Sequence, residues 1–141
     1  MLRVGQVLGT SAWQRVGQDR IDAFAQVTGD HQWIHVDPER ARHEGPFAGT
    51  VAHGAFVLSL VPVFIAEVLD TRDLRLVVNG GLHRVRFRTP VPAGARVRGK
   101  STLLDAGPIA FGWHLVVRNE VEIDGAVKPA CVADQVLVLH V

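Results

Sequence analysis

The sequence predicts an α+β protein in which an antiparallel sheet wraps around one long apolar helix. The first half of the chain has helical patterns and contains the longest apolar run, from Ala55 to Ala66. The second half alternates apolar and polar residues between turn signals, which is typical of strands. A helix that is apolar nearly all round must be enclosed by other elements. The sheet is the only predicted element large enough to cover it.

The composition is that of one ordinary domain spanning residues 1–141. Hydrophobic residues make up 48% and charged residues 21%, and the formal net charge of +1 indicates no nucleic-acid partner. Cys131 is the single cysteine and has apolar neighbours, which predicts a buried thiol and a reducing compartment. Residues 1–6 lack the apolar core of a signal peptide, and the apolar run is too short to span a bilayer. We therefore expect a cytoplasmic protein with no membrane insertion.

Three helices are predicted in the first half. Apolar spacing indicates a helix over residues 18–27. Asp37 is placed to cap a short helix that begins at the proline after it. The long apolar helix is predicted over residues 50–69, and Pro62 is expected to bend it or to free a carbonyl near Leu58.

The second half is predicted to be a meander of strands. A short edge strand within residues 2–13 precedes strand patterns at residues 83–88, 96–103, 109–122 and 128–141, with turns at 90–94, 105–108 and 124–125. His83 falls on the apolar side of its strand, which predicts a buried core histidine. Two basic rows would share one sheet face. Their members are Arg84, Arg86, Arg88, Arg96, Arg98 and Lys100.

Three residues near the start of the apolar helix form a candidate acid–base site. Asp30 and His35 lie five residues apart in a turn-rich segment, and Gly54 opens the apolar run. A carboxylate and an imidazole can hold one water and deprotonate it, since the ordinary pKa of histidine is about 6.5. Gly54 offers a first-turn amide that has no acceptor within the helix. From the residues alone, Asp30 is better explained as a cap of the turn after the first helix, because most such aspartates are structural caps.

The four histidines of the first half raise the question of a metal site. His31, His35, His43 and His53 include no pair with the spacing of a His-Glu-x-x-His helix. We therefore expect no metal and a packing role for His53. Asp37 is expected to act only as a helix cap.

These motifs resemble the MaoC-like dehydratases, the (R)-specific enoyl-CoA hydratases of hotdog fold. The resemblance is carried by residues 24–30, 35–38, 52–54, 85–87, 90–92 and 94. It implies a hotdog domain that pairs into a homodimer, with Asp30 and His35 as the catalytic pair. It also implies that the Gly54 amide holds the thioester carbonyl. The resemblance implies no metal or redox cofactor. Coenzyme A is not counted as a cofactor, because it is part of the substrate.

The chain departs from the family pattern at two places. Gln32 and Trp33 stand where many members have Asn-Pro, so Gln32 is a candidate replacement and Trp33 either lines the acyl pocket or packs elsewhere. Some members have a serine two turns past the glycine, and here that position is Pro62. The nearest serine, Ser59, is the candidate substrate contact.

The basic rows could contact the phosphates of coenzyme A, which arginine suits well. Arg86 is the candidate, although a solvated sheet face explains most of these residues. Nucleic acid is disfavoured because no stacking aromatics interleave with the arginines.

The implied activity is reversible hydration of a trans-2-enoyl-CoA to the (R)-3-hydroxyacyl-CoA. Two alternatives stay open at this level. Hotdog folds also host acyl-CoA thioesterases, because fold does not fix function. The departure at Gln32 and Trp33 also leaves room for a non-catalytic acyl-CoA-binding or regulatory subunit.

Overall fold

The computed structural model of the protein describes residues 2–141 and shows a curved antiparallel sheet around two consecutive helices. Its strands are β1 (Val7–Thr10), β2 (Gln14–Arg15), β3 (Leu76–Phe87), β4 (Arg96–Ile109), β5 (Gly112–Ile123) and β6 (Cys131–His140). Its helices are α1 (Gln18–Thr28), α2 (Trp33–Val36), α3 (Pro38–Glu44), α4 (Gly54–Ser59) and α5 (Val61–Val68). The predicted α+β class is confirmed.

The strand order is β1-β4-β5-β6-β3, and β2 pairs with β4 beside β1. Strands β4, β5 and β6 form the predicted meander, with every neighbouring pair antiparallel. Strand β3 precedes the meander in the chain but pairs with β6, at the far edge of the sheet. The sheet therefore has a short edge formed by β1 and β2 and a long edge formed by β3.

The core lies between the inner face of β4, β5 and β6 and the helices α4 and α5. Buried and partly buried residues alternate along these strands, as a half-covered sheet requires. Phe64 of α5 is fully buried against the sheet. A Cβ at Gly99 would lie 2.6 Å from Phe64, so glycine on β4 lets the helix approach closely.

The predicted helix over residues 50–69 is wrong in two respects. Thr50 and Val51 are outside any helix, and Val51 bridges to Pro92 in the loop before β4. The remaining stretch divides into α4 and α5 at Leu60. The division places Pro62 in the first turn of α5, where its missing N–H and fixed backbone angle cost little.

The predicted turn at residues 105–108 is also wrong. Strand β4 runs on to Ile109, and Gly107 and Pro108 pair with residues of β5. Strand β1 pairs only with residues 100–102, so this end of β4 has no neighbour on its other side. A proline there costs no ladder hydrogen bond, which explains why turn-like residues fit in a strand.

The two basic rows do not share a sheet face, because β3 and β4 are not neighbours. The row on β4 is paired with acidic residues of β5 and the following turn: Arg96–Asp124 at 2.5 Å, Arg98–Glu122 at 2.7 Å and Lys100–Glu120 at 4.0 Å. Arg84, Arg86 and Arg88 form no salt bridge with any of residues 2–141. Only the basic row at the end of β3 is therefore free to meet an anionic ligand.

His83 is exposed, so the prediction of a core histidine is wrong. Most of β3 is exposed, since it is an edge strand with little cover on either face. Cys131 is fully buried in β6, as predicted, and burial raises the pKa of its thiol to about 11. Across residues 2–141, no helix has both the length and the apolar character needed to cross a membrane.

Candidate active site

The end of α1 places Asp30 at the surface, next to the start of α4. Gly29 ends the helix in the left-handed conformation at φ 83°, and its N–H donates to the Ala25 carbonyl. The Thr28 hydroxyl then accepts a hydrogen bond from the Asp30 amide at 3.2 Å. The exposed Asp30 carboxylate accepts a hydrogen bond from the Gln32 amide at 3.3 Å. Asp30 therefore shapes its own turn and still presents its carboxylate to solvent.

His35 lies on the short helix α2 and is only 8% exposed. Its Nδ1 lies 2.7 Å from the Val51 carbonyl oxygen, which can only accept a hydrogen bond. Nδ1 therefore carries the proton, and Nε2 keeps a lone pair. The Gln18 amide donates to the His35 backbone carbonyl at 2.7 Å, which further fixes this short helix.

His53 stacks on His35 and connects the Asp30 turn to α4. The two imidazole centroids are 3.9 Å apart with an interplanar angle of 25°. His53 Nε2 donates to the Asp30 backbone carbonyl at 2.9 Å, while its buried Nδ1 has no partner among residues 2–141. The position of His53 agrees with the packing role expected from the sequence. Its contact with Asp30 could not be predicted.

One donor atom each from Asp30, His35 and His53 lies within 4.8 Å of the others. Both histidines already donate one nitrogen to a backbone carbonyl, and their rings are nearly parallel. Each imidazole therefore keeps one nitrogen for a further contact. A separation of up to 4.8 Å between the Asp30 carboxylate and a His35 nitrogen leaves room for one water that is hydrogen-bonded to both.

Gly54 is the first residue of α4 and borders a cavity of about 280 Å³. Its amide makes no hydrogen bond with any of residues 2–141, as is usual in a first helical turn. A Cβ at this position would lie 3.1 Å from the Phe87 ring. The cavity is mostly apolar and is lined by Ile34, Phe47, Val51, Ala52, Gly54, Val57, Phe87, Arg88, Thr89, Pro90, Val91 and Ala130.

The candidate substrate contacts lie at different places. Gln32 is exposed beside Asp30, whereas the Trp33 ring packs under the Arg40 guanidinium at 4.3 Å. The Ser59 hydroxyl donates to the Phe56 carbonyl at 2.6 Å and borders a second cavity, on another face of α4. Arg86 is exposed on β3 and is not among the residues that line the Gly54 cavity.

Sequence reasoning missed two groups at this site. The Val51 carbonyl holds His35, whereas a helix that begins at Thr50 would occupy this carbonyl with an intrahelical hydrogen bond. Arg88 lines the Gly54 cavity and continues the alternation of Arg84 and Arg86, so the basic pattern already contained this signal.

A curved antiparallel sheet around a helix defines a hotdog protein, and here a carboxylate and an imidazole lie beside the first residue of that helix. The chain belongs to the MaoC-like domain family, whose model matches residues 2–123. The resemblance noted from the sequence motifs is thereby confirmed.

Two relatives and one solved structure illustrate this membership. The chain is 43% identical over 134 residues to 3-hydroxyacyl-thioester dehydratase Z of Mycobacterium tuberculosis, covering 94% of this chain and 88% of that protein. It is also 43% identical over 141 residues to nodulation protein N of Rhizobium leguminosarum, covering 98% and 87%. The unliganded (R)-hydratase PhaJ1 of Pseudomonas aeruginosa has the same fold, with a TM-score of 0.81 at 23% identity, covering 99% of this chain and 83% of that one.

Proposed function

We propose that this protein catalyses the reversible addition of water to a trans-2-enoyl-CoA, giving the (R)-3-hydroxyacyl-CoA. The observation that carries the proposal is the spacing of Asp30 and His35, which can share one water beside the free amide of Gly54. The similarity to a 3-hydroxyacyl-thioester dehydratase supports the same reaction class, written in the reverse direction.

In the proposed reaction, His35 Nε2 removes a proton from the water as its oxygen attacks C3 of the enoyl group. The proton on Nδ1 stays with the Val51 carbonyl, so only Nε2 takes part. The Asp30 carboxylate orients the water by accepting a hydrogen bond from the other hydrogen of that water. The Asp30–His35 pair returns one proton to C2, so the product gains the elements of one water. No metal or redox cofactor is needed for these reaction steps.

The Gly54 amide has a separate task in this proposal. Attack at C3 moves negative charge onto the thioester oxygen, which needs a hydrogen-bond donor. A first-turn amide carries part of the positive end of the helix dipole and needs no reorganisation to donate. Donors of this kind contribute roughly 3–4 kcal/mol of transition-state stabilisation.

The nucleotide of coenzyme A is proposed to lie at the end of β3. Arg86 and Arg88 have no acidic partner among residues 2–141, and Arg88 borders the Gly54 cavity. Guanidinium groups bind phosphate oxygens through two parallel hydrogen bonds. The paired row on β4 is less suited, since each cation there already has a carboxylate partner.

The experiment is a hydration assay over a series of trans-2-enoyl-CoA chain lengths, followed by loss of the enoyl absorbance and chiral analysis of the product. Asp30→Asn and His35→Ala are each expected to lower kcat/KM at least ~100-fold, the low end for general acid–base catalysis.

Asp37→Asn and His31→Ala are the matched controls, because both side chains are exposed in the same segment and asparagine still caps α3. Wild-type rates in both Asp30→Asn and His35→Ala would disprove the assignment. Release of free thiol from saturated acyl-CoA would indicate a thioesterase instead. Binding of acyl-CoA with neither reaction would indicate a binding subunit.

A further inference from the structure

His53 contacts both members of the pair that is proposed to hold the water. Its Nε2 donates a hydrogen bond to the Asp30 backbone carbonyl at 2.9 Å. Its ring stacks on the His35 ring, with the two centroids 3.9 Å apart. The His53 side chain is buried, so water does not compete for either contact. One buried imidazole therefore connects the two side chains on which the proposed reaction depends.

The His53 side chain does not serve the helix that follows it. His53 is the N-cap residue of α4, and its backbone carbonyl accepts a hydrogen bond from the Val57 amide at 3.2 Å. A side chain at this position usually accepts a hydrogen bond from the first helical turn, but His53 makes no such bond. Its Nδ1 also has no partner among residues 2–141. The hydrogen-bonding capacity of the ring is therefore used on the Asp30 turn.

The hydrogen bond from His53 anchors the turn from which the Asp30 carboxylate projects. Within the turn, the Asp30 amide donates to the Thr28 hydroxyl at 3.2 Å, and the Gln32 amide donates to the Asp30 carboxylate at 3.3 Å. Both distances are at the long end of the range for N–H···O hydrogen bonds. The bond from His53 is shorter and connects this exposed turn to a buried residue. Without it, the position of the carboxylate relative to His35 would be less well defined.

The stacking contact acts on the other member of the pair. The Val51 carbonyl holds one edge of the His35 ring at Nδ1, and His53 covers one face of that ring. A hydrogen bond at a single nitrogen lets a ring tilt about that contact, whereas a covered face opposes the tilt. The two contacts together define where His35 Nε2 lies.

We infer that His53 is a positioning residue that directs Asp30 and His35 to the same water. The inference rests on the proposed function, because the shared water belongs to that reaction. His53 does not itself exchange a proton with the water, since its free nitrogen is buried. Its loss is therefore expected to lower kcat, because small misplacements of catalytic groups slow a reaction steeply. The KM should stay nearly constant, because His53 does not line the cavity beside Gly54.

Two variants separate the contacts. His53→Gln keeps an N–H donor at about the reach of Nε2 and removes the ring, whereas His53→Phe keeps a ring and removes the donor. Each is expected to lower kcat for enoyl-CoA hydration at least about tenfold, with KM within about threefold of wild type. Phe24→Leu is the matched control, because the Phe24 ring lies 4.9 Å from the His53 ring and takes part in neither contact. It should keep the wild-type kcat.

A second measurement needs no substrate. NMR of protein labelled with ¹⁵N-histidine follows exchange of the His35 Nδ1 proton with water. His53→Gln uncovers the face of the His35 ring and is expected to speed this exchange at least about tenfold. His53→Phe keeps the face covered and should exchange as slowly as wild type. Thermal unfolding of each variant verifies that it is folded.

Wild-type kcat in both folded variants would overturn the inference, as would exchange in His53→Gln that is as slow as in wild type. A raised KM with unchanged kcat would also overturn it, because His53 would then act in substrate binding. Wild-type protein that hydrates no enoyl-CoA would contradict the proposed function. Faster exchange in His53→Gln would, even then, support the role of His53 in holding His35.

Discussion

His35 has one nitrogen left for chemistry, because the Val51 carbonyl occupies the other. The ring cannot rotate about its axis without burying an unpaired carbonyl, and His53 covers one of its faces at 3.9 Å. Both contacts fix the direction in which Nε2 points. A fixed direction is what the reaction proposed for His35 requires, since small misplacements of a catalytic group lower rates steeply.

Gly54→Ala tests whether glycine is needed for the thioester to approach the amide. The added Cβ lies 3.1 Å from the Phe87 ring, which must shift by a few tenths of an ångström to admit it. We therefore expect little change in stability and a fall in kcat/KM of between about 10- and 100-fold, because the methyl group displaces the bound carbonyl. Enoyl-CoA hydration kinetics and thermal unfolding measure the two effects.

Phe87→Ala and the double variant Gly54→Ala/Phe87→Ala complete a mutant cycle. If the methyl group acts directly on the substrate, the double variant stays as impaired as Gly54→Ala. Recovery of activity in the double variant would mean that crowding of Phe87 caused the loss. The proposed role of Gly54 in carbonyl approach would then be wrong.

Because the Cys131 thiol is buried, we expect the free energy of unfolding to fall at alkaline pH. Burial raises the pKa of its thiol from 9.0 to about 11. The unfolded chain therefore releases this proton at a lower pH than the folded protein. The stabilisation is fully present below pH 9 and is lost as the pH rises through the folded value. Between pH 8 and pH 10.5 this single group should remove on the order of 2 kcal/mol from the free energy of unfolding.

Urea unfolding of wild type and Cys131→Ala at both pH values isolates that contribution. Other groups titrate in the same range, so the informative quantity is the difference between the two proteins. Cys131→Ala is less stable at pH 8, because it leaves a small cavity, but it should lose less stability on going to pH 10.5. Parallel loss in both proteins would contradict the predicted contribution of the thiol.

The helices α4 and α5 show how much of a single element can be predicted from the sequence. The apolar run and the glycine before it correctly predicted an enclosed helical stretch, whereas the bend expected at Pro62 is instead a division into two helices at Leu60. The division at Leu60 depends on how the chain accommodates a missing N–H, which the pattern does not specify. The predicted helix begins too early, because Thr50 and Val51 are uncharged and continue the apolar pattern toward the N-terminus. Their hydrogen bonds to Gln18, His35 and the loop before β4 are long-range contacts.

The strands show a similar limit. Alternation correctly predicted the basic row on β4 and the exposed arginines of β3, but it carries no information on which strands are neighbours. The chain order suggested adjacent rows on one face, whereas β3 crosses to the far side of β6. The pairing of β3 with β6 therefore separates the two basic rows. The cations on β4 have acidic partners, whereas the arginines at the end of β3 have none among residues 2–141. The pairing also places Arg88 on the cavity that Gly54 borders, although the two residues are 34 positions apart in sequence.

At the scale of the whole molecule, the long edge formed by β3 is incomplete in a single chain. Its exposed apolar residues are Leu76, Val77, Val78, Leu82 and Phe87. An extended strand with unpaired backbone groups and apolar side chains pairs readily with another chain. Val63 of α5 is also 49% exposed. We propose that a second copy covers this edge, which agrees with the homodimer implied by the family resemblance.

The double variant Val78→Lys/Leu82→Lys tests this assembly. Lysines on an edge strand oppose pairing because each copy brings the same charge to the interface. We expect wild type to have the mass of two chains by light scattering after size-exclusion chromatography, and the variant the mass of one. Val4→Lys/Val7→Lys is the control, because both residues are exposed near the opposite edge, and it should remain a dimer. A monomeric wild type, or a dimer that survives the lysines on β3, would place the interface elsewhere or show that none exists.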